Sequence, residues 1–163
     1  MQDHYLISLT EKSDRVGNKA RRLSFLQQHG FVIPLTFVCT WDAYEHYLQD
    51  EMDMVPLLQD ELAAKLPAGK RFAIRSSANI EDSQDVSFAG QFKTVLDAGT
   101  VDDVLSAIWS VWATARSPGV QAYLEKKEID PRQLKMAVVI QEMIAPSISG
   151  VAFSKNPVTG MDE

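Results

Sequence analysis

The sequence predicts an α+β (α/β mixed) fold, a mixed sheet with packed helices. Three observations carry that prediction. Short apolar runs rich in β-branched residues alternate with longer segments whose apolar residues recur at helical spacing. Glycines and prolines sit at the junctions, where turns and helix ends require them. The 163 residues, 45% hydrophobic and 23% charged, suffice for one substantial core.

The first helix is expected over 16–29, because Val16, Ala20, Leu23 and Leu26 or Gln27 share a face. Ser13 or Asp14 would cap its start and Gly30 suits its end. The apolar run 31–39 is interrupted by Pro34, which confines the strand to its second half. Thr40 begins a helix through Tyr44 and Leu48, and Pro56 is placed in the first turn of another ending near Leu66. Pro67-Ala68-Gly69-Lys70 turns the chain into a strand, Arg71-Phe72-Ala73-Ile74, and Phe92-Lys93-Thr94-Val95-Leu96 reads as the next.

Thr100 with Asp102 and Asp103 starts a helix, the hydroxyl capping free N–H groups and the acids complementing the dipole. Its apolar face is Val104, Leu105, Ile108, Val111 and Trp112, and a second helix follows over 118–127. Trp109 and Trp112, three apart, are read as core. A nearly continuous apolar strand, 136–140, ends in Gln141-Glu142-Met143, and Gly150 opens a short strand over 151–154. Asn156-Pro157-Val158-Thr159-Gly160 is turn chemistry that leads into another element, so the chain is expected to be the N-terminal part of something longer.

The net charge of −6, from 16 basic and 22 acidic residues spread along the chain, argues against nucleic-acid binding, which needs a basic face. Cys39, the single cysteine, lies in an apolar run and reads as a buried residue rather than a nucleophile. His4, His29 and His46 lack metal-ligand spacing. With no signal-like N-terminus and no apolar run near the roughly 20 residues of a membrane span, the expectation is a cytoplasmic protein with no membrane partner.

The chemistry concentrates in Arg75-Ser76-Ser77-Ala78, Glu81-Asp82 and Ser87-Phe88-Ala89-Gly90-Gln91, placed in the connection between two strands. A guanidinium grips phosphate as a planar two-pronged donor, and hydroxyls with the N–H groups near a glycine close around the remaining oxygens. The plainer reading pairs Arg75 with Glu81 or Asp82, leaves Ser76 and Ser77 to satisfy turn backbone, and makes Lys19 a solvated helix residue. Gln141 and Glu142, adjacent on a strand, point to opposite faces, so only one can meet a ligand with its side chain. Gln141 is the favoured one.

In this order the blocks resemble the N-terminal nucleotide-binding domain of the pyruvate/phosphoenolpyruvate dikinase family. That family includes pyruvate, phosphate dikinase, phosphoenolpyruvate synthase and rifampicin phosphotransferase. The matching residues are Gly17-Asn18-Lys19 with Leu23, Arg75-Ser76-Ser77-Ala78 with Glu81-Asp82, and Ser87-Phe88-Ala89-Gly90-Gln91 with Thr94. They continue with Val138-Val139-Ile140-Gln141-Glu142-Met143, Gly150-Val151-Ala152-Phe153-Ser154 and Pro157-Val158-Thr159-Gly160. Val16 stands where the family has a glycine, Ser154 where threonine is usual, and Asn156 where an acid is usual.

The resemblance implies an ATP-grasp-like fold with ATP between two lobes. Residues 1–145 would be the N-lobe with the hinge strand, and 146–163 the truncated start of the second. Lys19 and Arg75 would bind phosphates, Gly90 and Thr94 would belong to the phosphate-covering loop, and Gln141 would contact the nucleotide at the hinge. Family members split ATP and pass the β-phosphoryl through a histidine on a swivelling domain to pyruvate or another acceptor, with metal assistance. The implied cofactors are ATP and magnesium, the metal ligands lying outside this chain. The implied partners are downstream phosphohistidine and acceptor domains. None of the three histidines is the phosphohistidine candidate. No catalytic or metal-binding residue is expected within the chain, and it is expected to be inactive alone. The alternatives are the same ATP site serving rifampicin or a glucan, and a non-catalytic nucleotide-binding or interaction module.

Overall fold

The computed structural model describes residues 4–49, 51–80, 92–152 and 160. In chain order the elements are β1 (Leu6–Ser8), α1 (Gly17–Gln28), β2 (Thr36–Cys39), α2 (Trp41–Gln49), α3 (Glu51–Lys65), β3 (Phe72–Ala78), β4 (Thr94–Ala98), α4 (Val101–Ala115), α5 (Pro118–Lys126), a 3-10 turn (Pro131–Gln133) and β5 (Met136–Glu142). The strands form one sheet in the order β1-β2-β5-β3-β4.

The α+β class holds, but every strand pair among the described residues is antiparallel, where a mixed sheet was expected. Topology explains the difference. β2 and β3 run in the same direction and are joined by the α2–α3 crossover, which normally makes a parallel pair. Here β5 lies between them and runs opposite to both.

Strand alternation divides the core between two faces. On one face Leu6, Cys39, Ile74, Val138 and Ile140 pack with buried residues of α2, α3, α4 and α5. On the other, Ile7, Val38, Ala137 and Val139 pack beneath Val16 and Ala20 at the start of α1. Cys39 is fully buried, and burial pushes its thiol pKa well up, as suits a core residue. Trp112 is buried and Trp109 packs partly buried against the same cluster.

Several boundaries differ from the sequence expectation for identifiable reasons. Pro56 lies inside α3 rather than in its first turn. An interior proline costs about 3 kcal/mol. Met54, Leu58 and Leu62, spaced four apart and fully buried, offset it at roughly 1.5–3 kcal/mol each. Helix α1 begins at Gly17 with Val16 as N-cap and no side-chain cap, so neither Ser13 nor Asp14 serves. Its end is as expected: Gly30, at φ +84, donates its N–H to Gln27 and Phe31 donates to Leu26, the paired bonds of a Schellman closure. Thr100 and Asp103 form a reciprocal capping box at α4. Val151 and Ala152 carry no strand structure, and 153–159 lie outside the described residues.

The outer edge of β1 is closed by α3. Glu61 accepts the Tyr5 N–H at 3.0 Å and the Leu6 N–H at 2.7 Å, and Lys65 donates to the Leu6 carbonyl. An edge so occupied cannot recruit another strand. Among the described residues, no helix is long and apolar enough to cross a membrane.

Candidate functional site

The site grows from β3. Arg75-Ser76-Ser77-Ala78, expected in a connection, are the second half of that strand, each paired with β5. Ser76 is 3% exposed and Ser77 fully buried, so their polarity did not keep them out of the core. The buried Ser77 hydroxyl is satisfied by partners brought from α1. It donates to the Val16 carbonyl at 2.7 Å and accepts the Ala20 N–H at 3.1 Å. Those groups would otherwise form the first intrahelical bond of α1. The hydroxyl is therefore inserted into the opening turn of the helix and joins it to the sheet.

Gly17 permits the approach. Its φ is +70, and a Cβ built there would lie 1.9 Å from the Ser77 carbonyl oxygen. Two residues on, Lys19 reaches the same strand and donates from Nζ to the Ser76 carbonyl at 2.8 Å. The backbone carbonyl and the helix start thus hold the Lys19 ammonium beside the residue that follows Arg75.

Alternation places Arg75 and Ser77 on the α1 side of the sheet, away from Ile74. Thr94 is directly opposite Arg75 in β4 and shares that side. Gln141 is opposite Ala73 in β5 and shares it too, two residues along from Val139, the direct partner of Arg75. Diagonal neighbours of this kind stand about 7–8 Å apart, within reach of long side chains. Helix α1 covers the face only partly. Ala73, Arg75 and Gln141 are half-buried and Thr94 is exposed. Lys19, Arg75, Thr94 and Gln141 therefore gather on one incompletely covered face. Gly90 lies outside the described residues, as do Glu81 and Asp82.

Arg75 forms no ion pair among the described residues, whereas several other cations do. Arg15 meets Asp42 at 2.5 Å, Lys70 meets Glu142 at 2.6 Å, and Lys135 meets Glu45 at 2.7 Å. Glu142 points to the opposite face from Gln141 and is committed to Lys70. Gln141 donates from Nε2 to the Thr36 hydroxyl at 3.0 Å, and that hydroxyl donates to the Pro34 carbonyl at 2.7 Å. A guanidinium, an ammonium, a hydroxyl and an oriented amide on one open face suit a ligand with both phosphates and a hydrogen-bonding base. A separate cleft of about 320 Å³ opens on the β1 side of α1, floored by Ile7, Leu9, Val16 and Val38. None of the four candidates lines it. Among the described residues, no group of three His, Cys, Asp or Glu side chains is arranged to hold a metal ion.

Sequence reasoning missed two contributors. Gly17 carried a signal, since it opens a matched block, but its need for contact with Ser77 is visible only in three dimensions. Thr36 carried none, being one hydroxyl in an apolar run.

The chain is similar to several known proteins. The family described as pyruvate phosphate dikinase, AMP/ATP-binding domain, matches residues 52–163. An uncharacterized phosphotransferase of Bacillus subtilis, YvkC, is 32% identical over 171 residues, covering 93% of this chain and 21% of its own length. A phosphoenolpyruvate synthase of Aeropyrum pernix is 38% identical over 93 residues, covering 57% of this chain and 11% of its own length. A rifampicin phosphotransferase of Streptomyces sviceus is 28% identical over 200 residues, covering 97% of this chain and 23% of its own length. The chain thus spans less than a quarter of each of these relatives. It belongs to the pyruvate phosphate dikinase AMP/ATP-binding domain family, an ATP-grasp-like nucleotide-binding fold.

Proposed function

We propose that this chain is the first lobe, with its hinge strand, of the ATP-binding unit of a phosphotransferase. That enzyme splits ATP and passes a phosphoryl group through a phosphohistidine to pyruvate. The observation that carries the reading is the gathering of Lys19, Arg75, Thr94 and Gln141 on one partly open sheet face. Residues 1–145 form the N-lobe in this reading, and 146–163 begin the second lobe.

Each residue has a task that follows from its chemistry. Arg75, held between β5 and β4, presents a planar fork to two phosphate oxygens. Lys19, fixed through the Ser76 carbonyl, adds a point charge beside it. Thr94, the first residue of β4 rather than part of the covering loop, contributes a hydroxyl across from Arg75, and Gly90 belongs to the loop that covers the phosphates. Gln141 meets the base. Phosphoryl transfer depends mainly on positioning and charge neutralisation, which is what this set supplies. Magnesium, when bound, neutralises the triphosphate, and its ligands belong to parts of the enzyme outside the described residues.

The phosphohistidine and acceptor domains belong to the same enzyme, and the lobe alone is inactive. A second acceptor class is favoured by one observation: a relative named for rifampicin phosphotransfer aligns with 97% of this chain. The test is to incubate the full-length protein with ATP labelled at the β-phosphoryl, then offer pyruvate or rifampicin. The expected result is AMP together with an acid-labile, base-stable label on the protein that moves to one acceptor. Release of ADP with no protein label would overturn the phosphohistidine route. Complete turnover by the purified 163-residue chain would overturn the division into lobes.

A further inference from the structure

We infer that Thr36 determines base specificity, selecting adenine over guanine by fixing which end of the Gln141 amide faces the nucleotide. The inference rests on the reading that Gln141 meets the base, and goes beyond it by assigning the selectivity to a residue that touches no ligand.

One proton decides the orientation of the amide. A threonine hydroxyl has a single hydrogen to donate and lone pairs to accept with. The Thr36 hydroxyl is 2.7 Å from the Pro34 carbonyl, a group that can only accept, so its hydrogen is spent there. Toward Gln141 it can then only accept. The side chain 3.0 Å away must present its NH₂ end, which settles the orientation of an amide whose nitrogen and oxygen otherwise look alike. The Gln141 oxygen is consequently turned away from Thr36, and no described residue donates to it.

The base of this relay is rigid. Thr36 is 5% exposed, and Leu35 beside it accepts the Glu142 N–H at 2.7 Å, which clamps the start of β2 to the end of β5. Gln141 itself is only half-buried, on the face that carries Arg75. A fixed oxygen there accepts from the exocyclic amine of adenine. The carbonyl that guanine carries at the same ring position is also an acceptor, so it is left facing an acceptor with no proton between them. Thr36 is a positioning residue in this scheme: it acts through Gln141.

The experiment measures dissociation constants for ATP and for GTP on the full-length protein and its Thr36→Val, Thr36→Ala, Thr36→Ser and Gln141→Leu variants. The wild type is expected to favour ATP by about tenfold or more, the scale of one buried hydrogen bond made or denied. Thr36→Val and Thr36→Ala free the amide to turn over, so the preference falls and GTP binds more tightly than before. Thr36→Ser keeps the relay and the preference. A merely structural role would weaken both nucleotides alike and would not improve GTP. An unchanged ratio in both Thr36→Val and Thr36→Ala, with a lowered ratio in Gln141→Leu, would overturn the relay while leaving Gln141 at the base. No effect of Gln141→Leu on either nucleotide would remove Gln141 from the site, and the inference with it.

Discussion

Gly17 and the carbonyl of Ser77 meet at a distance that no other residue at position 17 allows, since a Cβ there would stand 1.9 Å from the oxygen. The contact brings the first turn of α1 onto the middle of the sheet. It also sets where Lys19 begins. A lysine two residues into the helix reaches the Ser76 carbonyl only because the helix starts in contact with β3. The placement of Lys19 against β3 therefore depends on an absent side chain.

Gly17→Ala should be among the most damaging single substitutions in the chain. The residue sits at φ +70, and its neighbour is backbone that cannot turn aside. Strain and overpacking together are expected to cost about 3 kcal/mol or more. Urea denaturation monitored by far-UV circular dichroism measures this, and a loss below about 1 kcal/mol would show that α1 can shift without penalty.

Ser77→Ala should cost less, about 1–2 kcal/mol. The Val16 carbonyl and Ala20 N–H lose the inserted hydroxyl but can close on each other, which limits the damage. Amide hydrogen exchange at Ala20 and along the first turn of α1 should accelerate more than exchange in α4. Uniform acceleration across both helices would point to general loosening instead of a local joint.

Much of this was legible in the sequence where one local rule decided the outcome. The hydroxyl cap at Thr100, the apolar face from Val104 to Trp112 and the glycine closure at Gly30 all follow from residues close together in the sequence. The failures share a different cause. Arg75-Ser76-Ser77-Ala78 looked like a connection because two serines carry no apolar signal, yet they are strand because α1 and β5 supply their partners. Pro56 looked like a helix start, but burial along Met54, Leu58 and Leu62 carries the helix through it. A mixed sheet was expected, and β5, inserted from far along the chain between β2 and β3, prevents the parallel pair that their helical crossover would otherwise make. At the candidate site, residue types were readable and their convergence was not, because Thr94, Gln141 and Arg75 meet only through strand register.

Acid should reach α4 through Asp103. The Thr100 hydroxyl, followed by the Gly99 and Thr100 N–H groups, holds its carboxyl below the usual carboxylate range. A depressed folded-state pKa contributes stability that is fully present above the unfolded value, about 4, and lost as pH falls through the folded value beneath it. The stability difference between wild type and Asp103→Asn should therefore be constant from about pH 7 to 5 and shrink below about pH 4. Thermal unfolding across that range measures it. A difference that persists unchanged into strong acid would mean that the charge of Asp103 contributes nothing to the cap.

Whether the sheet face bearing Lys19 and Arg75 receives the phosphates of ATP is tested by titrating the full-length protein with ATP and, separately, with adenosine. Arg75→Ala and Lys19→Ala should each weaken ATP by about tenfold or more, the scale of a charge-assisted hydrogen bond, and leave adenosine binding as it was. Unchanged ATP affinity in a folded Arg75→Ala protein, or an equal loss for ATP and adenosine, would show that the phosphates do not lie on this face.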